Sequence, residues 1–90
     1  MIAEAIPYYS LKVPTVFIED GYRFFFYSAD GIEPMHVHVE KAGNTAKFWM
    51  QPIRLAASHG LRSHELTRAR RLLDKNANLA EEKWSEFFNA

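Results

Sequence analysis

The sequence contains no cysteine. No disulfide framework, thiol nucleophile or thiolate metal site can form, and this fits a reducing compartment. It also has no net charge, because 11 Lys and Arg balance 11 Asp and Glu. A uniformly basic nucleic-acid binder is not indicated, although a local basic patch is compatible with neutrality. No stretch approaches the roughly 20 apolar residues of a membrane-spanning helix. The first residues lack a basic segment followed by an apolar run, so no secretory signal is expected and the location is read as cytoplasmic. A phosphate-binding glycine loop, a G-x-S-x-G elbow and a zincin helix motif are all missing. Their absence removes the commonest enzyme classes and leaves open whether the protein is an enzyme. There is no internal repeat and no low-complexity segment.

What is present is a set of aromatic and apolar runs. Ninety residues make one domain, and 48% apolar and 14% aromatic content supply a core without staples. Residues 1–13, with Pro7, Tyr8, Tyr9 and Ser10, read as an irregular or strand-like extension to a single α+β domain at 14–90. Residues 15–18 are β-branched and aromatic, and so are residues 22–27. Asp20-Gly21 between them signals a tight hairpin, because both turn positions must accept positive φ. Residues 22–27 are apolar on both faces, which predicts cover on each side. A loop follows, marked by Asp30-Gly31 and closed by Pro34.

A second hairpin is expected over residues 35–50, turning at Gly43-Asn44. That register pairs Ala42 with Thr45, Glu40 with Lys47, His38 with Trp49 and His36 with Gln51. Alternation puts Val37, Val39, Phe48 and Met50 on one face and His36, His38, Glu40, Lys47, Trp49 and Gln51 on the other. Residues 53–60 are ambiguous. Ser63 reads as a helix N-cap, with Glu65 in the first turn. Leu66, Ala69, Leu72 and Leu73 then form one helical stripe, and Ala80, Trp84, Phe87 and Phe88 a second. Asn76 and Asn78 weaken the helix between them. The expected architecture is an antiparallel sheet of two aromatic-rich hairpins packed against one or two C-terminal helices.

His36 and His38 are the sharpest chemical feature. Two residues apart in a strand, they project from one face. Three readings are open. As general acid–base groups they would form a catalytic set with Lys47, which would stabilise phosphate charge while Trp49 stacks a base. As metal ligands they would need further donors, because His36, His38 and Glu40 spread over roughly 13 Å of strand. His59 and His64 are candidates, and on the sequence alone no metal site and no cofactor is assigned. As surface residues they would simply decorate a solvated sheet or bond a neighbouring loop. On the first helix, Arg68 and Arg71 share a side and suit phosphate contact, with Trp49 as the aromatic partner. The bland alternative is a solvated face with ion pairs such as Arg70 to Asp74.

Three strings carry a family resemblance. They are Gly21-Tyr22-Arg23-Phe24-Phe25-Phe26-Tyr27-Ser28, then Glu33-Pro34-Met35-His36-Val37-His38-Val39, then Ala46-Lys47-Phe48-Trp49. Residues 66–73 and 82–88 extend the likeness, so it covers about 14–88. The chain resembles the small bacterial family of domain of unknown function number 4160. Met35 stands in a slot often filled by proline. The resemblance implies a short bacterial protein encoded beside another small protein, in the manner of toxin–antitoxin-type pairs. It carries over no catalytic residues. The leading expectation is a component of such a pair that contacts RNA or DNA. A non-catalytic protein-interaction module and a metal-binding protein are the alternatives. The neighbouring gene product, RNA or DNA, and a second copy of the chain are the expected partners, and a membrane is not.

Overall fold

The computed structural model describes residues 15–88. The expected N-terminal extension lies outside the described residues. Five strands form one sheet: β1 (Thr15–Glu19), β2 (Tyr22–Phe25), β3 (His36–Lys41), β4 (Asn44–Met50) and β5 (Ile53–His59). Each strand pairs antiparallel with the next, so the spatial order is the chain order. Two helices follow, α1 (Ser63–Lys75) and α2 (Ala77–Phe88). This is the expected α+β arrangement, with one strand more than two hairpins supply. No helix among the described residues is long and apolar enough to cross a membrane.

The first hairpin turns at Asp20-Gly21, with φ of 54° and 79°. The second corrects the expected register. Its turn residues are Ala42 and Gly43, at φ 50° and 84°, and Asn44 already belongs to β4. Lys41 therefore faces Asn44, Glu40 faces Thr45, His38 faces Lys47 and His36 faces Trp49. The two-residue turn at Ala42-Gly43 fixes this register, and Gly60 packs so close to Asn44 that a Cβ there would come within 2.2 Å of Asn44 Oδ1. The pairing shifts by two residues, and two is the side-chain period of a strand, so the faces are unchanged. Val37, Val39, Phe48 and Met50 are all buried. The expected Glu40–Lys47 pair is replaced by an Arg23–Glu40 ion pair at 3.2 Å.

Residues 53–59, ambiguous by pattern, form β5 because β4 offers a free edge. As an outer strand β5 is little covered, and Leu55 is 45% exposed. That explains why its residues lack a clean alternation.

The helix stripes pack where the periodicity put them except at Phe87, expected in the second stripe but 37% exposed. Ala69, Leu72, Leu73, Ala80 and Trp84 join Val37, Val39 and Phe48 in one core. The N-cap of α1 is Arg62 rather than the expected Ser63, and Glu65 Oε1 accepts the Arg62 backbone N–H at 2.9 Å. Leu61 and Leu66 both join the core, the spacing of a hydrophobic staple, and this sets the helix start one residue early. Asn76 ends α1. Its side chain donates to Leu72 O at 2.8 Å and to Glu19 Oε1 at 3.3 Å, which ties the helix break to β1.

Candidate functional site

β2 stops pairing with β3 at Phe25 opposite His38. Beyond that point no strand among the described residues flanks His36 on the β2 side. The vacated space is filled by the loop before β3 and by the C-terminal half of α2. His36 is therefore fully buried, its ring 5.6 Å from Trp49 and 5.4 Å from Trp84. His38 lies 5.1 Å away with its ring nearly perpendicular. Phe25 at 5.5 Å and Tyr27 at 4.6 Å hold the His38 ring from two sides. The predicted cover on both faces of the aromatic run is thus present. Phe24 and Phe26 enter the helix-side core, and Phe25 packs under the histidines.

The third member of the cluster is Asp30. A 3-10 turn over Ser28–Ile32 folds the loop back across the end of the sheet. The Asp30 N–H donates to Tyr27 O at 3.0 Å, and Asp30 Oδ2 accepts the Tyr27 N–H at 2.8 Å. This reciprocal pair fixes the carboxylate. Oδ2 is then 3.0 Å from His38 Nε2 and Oδ1 is 3.1 Å from His36 Nε2. Gly31 makes the close approach to α2 possible, since a Cβ there would stand 2.6 Å from Phe88 Cδ1.

The hydrogen bonds define the His36 tautomer. Nδ1 lies 2.8 Å from Pro34 O. A carbonyl only accepts, so Nδ1 carries the hydrogen. Nε2 is then the free nitrogen. It is buried and has no hydrogen-bond partner, with Asp30 Oδ1 3.1 Å away. Burial disfavours the charged imidazolium, yet the Asp30 carboxylate and the Pro34 carbonyl outweigh it and raise the His36 pKa. Burial likewise pushes the Asp30 pKa up, while His36, His38 and the Tyr27 amide pull it well below the usual carboxylate range. The donor atoms of Asp30, His36 and His38 all lie within 4.8 Å of one another.

The other residues singled out by sequence fall elsewhere. Lys47 Nζ bonds Glu33 Oε1 at 2.7 Å and sits 4.5 Å over the Trp49 ring. Glu40 is held by Arg23. His59 ends β5, His64 lies in the first turn of α1, and neither joins the cluster. Arg68 is ion-paired with Asp20. The expected Arg70–Asp74 pair does not form; Arg70 Nη2 donates to Ile53 O at 3.4 Å instead, across to β5. Arg71 is exposed.

Trp49 lines an open cleft of about 400 Å³ with Pro34, Met35, Gln51 and Arg54. Arg54 also lines the next cleft, together with Leu66, Thr67 and Arg70. A third cleft is formed by Thr67, Arg70, Arg71 and Asp74. Asp30 and Arg54 were not picked out by pattern. Asp30 read as a turn marker, although an aspartate three residues after Tyr27 is the spacing of a side-chain cap. Arg54 lay in the ambiguous stretch.

No curated protein and no solved structure matches the chain. The family model described as Domain of unknown function (DUF4160) matches residues 21–85, a span holding β2 through most of α2 and all three residues of the Asp–His–His cluster. The chain belongs to that family.

Proposed function

We propose that the protein contacts single-stranded RNA or DNA along a band running from Trp49 across β5 onto α1. The observation that carries this is the succession of three clefts, the first two joined by Arg54 and the last two by Arg70, ending at Arg71 beside Asp74. Among the described residues no carboxylate pairs with these three arginines, whereas four other cations are consumed in the Arg23–Glu40, Lys47–Glu33, Arg68–Asp20 and Lys75–Glu19 pairs. Zero net charge is therefore compatible with a basic band. Trp49 supplies a stacking surface at its open end, and base stacking of this kind is worth about 1–3 kcal/mol per base. The phosphate contacts first expected from Arg68 and Arg71 fall on this account to Arg54, Arg70 and Arg71. In the cytoplasm of a bacterium such a surface would suit one member of a toxin–antitoxin-type pair.

The test is binding of fluorescent RNA and DNA oligonucleotides at two salt concentrations, with and without chelator. Binding should weaken with salt, and Arg54→Ala/Arg71→Ala should lower the slope of log K against log salt by roughly 0.7 per lost phosphate contact. Arg68→Ala should leave it unchanged. No binding at low salt would remove the proposal. A protein-interaction module then takes its place, supported by β5, an outer strand whose far edge pairs with no other strand among the described residues. A proline placed in β5 that abolishes complex formation with the product of a neighbouring gene would identify strand addition.

A further inference from the structure

We infer that Asp30, His36 and His38 form a binding site for one divalent first-row transition ion, of the zinc or ferrous class. The ligand atoms are His36 Nε2, His38 Nε2 and one Asp30 carboxylate oxygen, all within 4.8 Å of one another. Ligands at about 2.0–2.2 Å from a tetrahedral zinc are roughly 3.3 Å apart. The Asp30 oxygens already stand 3.1 and 3.0 Å from the two imidazole nitrogens, so modest side-chain torsions close the set.

Three features point to an ion rather than to packing alone. First, His36 Nε2 is fully buried and lacks a hydrogen-bond partner. Asp30 Oδ1 stands 3.1 Å from that nitrogen, and two buried acceptor atoms side by side call for a proton or a metal ion between them. Second, the opposite nitrogen donates to the Pro34 carbonyl. A backbone carbonyl on Nδ1–H is the usual outer partner of a metal-ligating histidine, because it fixes the tautomer and orients the ring. Third, aromatic rings hold both imidazoles, with Trp49 and Trp84 against His36 and Phe25 and Tyr27 against His38. Two imidazoles with one carboxylate, and no thiolate, favour zinc or ferrous iron over magnesium or calcium. His38 is the exposed side of the site, at 17%, and marks the entry path. The sheet alone could not build this site, since Glu40, two residues on, lies too far along β3. Asp30 arrives from the loop.

The site stands independently of the nucleic-acid proposal, and its test uses metal alone. Chelator-treated full-length protein is titrated with zinc sulfate near neutral pH, with magnesium chloride as control. Calorimetry follows binding, and proton–nitrogen NMR follows the histidine ring nitrogens. We expect one zinc per chain, no response to magnesium, and ligation shifts at Nε2 of two histidines whose Nδ1 stays protonated. Asp30→Asn and His38→Gln nearly preserve volume, and each should weaken zinc binding by about 100-fold or more. His36 is left intact because its ring supports two tryptophans. Folded wild-type protein that takes up no zinc at about 100 µM overturns the site and leaves a cluster held by protons alone. Uptake that both variants retain also overturns it, by moving the ion to other residues. Should either variant fail to fold, the wild-type NMR shifts decide between Nε2 ligation at this pair and binding elsewhere.

Discussion

On one side of β3, Val37 and Val39 are fully buried beneath the two helices; on the other, His36 is equally buried, beneath a loop and a carboxylate. The two faces share one strand and differ in what holds them. The helix side needs only volume and apolarity, and Leu72, Leu73, Phe48 and Ala69 meet that need at helical and strand spacing. The histidine side needs partners in particular places. Each polar atom brought under cover must meet a complementary one, or an ion, at hydrogen-bond or ligand distance. Volume tolerates approximate sequences, whereas polar satisfaction does not. The histidine face is therefore the more informative about function and the less informative about stability.

This contrast can be broken in graded steps. Phe48→Ala, on the helix side, should cost about 3–5 kcal/mol, because the ring is almost wholly buried and its loss leaves a cavity. Urea denaturation should show most of the protein's stability gone. Asp30→Ala, on the other side, should cost about 1–3 kcal/mol by leaving the Tyr27 N–H and His38 without their acceptor. The fold should survive, with unchanged far-ultraviolet circular dichroism and a lowered denaturation midpoint. A loss as large as that of Phe48→Ala would mean that the polar cluster, not the core, dominates stability. Gly43→Val should cost roughly 1–2 kcal/mol, because φ of 84° is strained for a β-branched residue; the thermal midpoint measures it. The Arg23–Glu40 ion pair should contribute only about 0.2–1 kcal/mol, the range of solvent-screened pairs, beside the Thr15 hydrogen bond and the Phe25 contact that Arg23→Ala also removes. A double-mutant cycle with Glu40→Ala would isolate that pair.

How far these features were legible in the sequence follows the same division. The two faces of β3 and β4 were readable from alternation, and they survived a register error because the error was two residues. The Asp20-Gly21 turn was readable from backbone sterics. The second turn was misplaced by one residue, since its first residue is Ala42, a non-glycine at φ 50° that local sterics disfavour there. β5 was not readable, because an edge strand covered on little of its surface has no pattern to preserve. At the site, the histidine pair was legible as two imidazoles on one face. Its third member was not, since a carboxylate in a loop has no periodicity to announce it. The bond from Arg70 to Ile53 O likewise depends on where β5 lies against α1.

By itself the sequence determined the class of fold, the apolar faces, the weak point of the helical segment at Asn76 and the family. All of these rest on local chemistry and on periods of 2.0 and 3.6 residues that recur within a few positions. Only the tertiary structure decided which carboxylate meets the histidines, which arginines pair with a carboxylate among the described residues and which strands lie at the ends of the sheet. Those outcomes depend on where a loop closes and on which distant side chain arrives first at hydrogen-bond distance. Asp30 reaches His36 because β2 ends before β3 does, and that is a property of the whole sheet rather than of either segment.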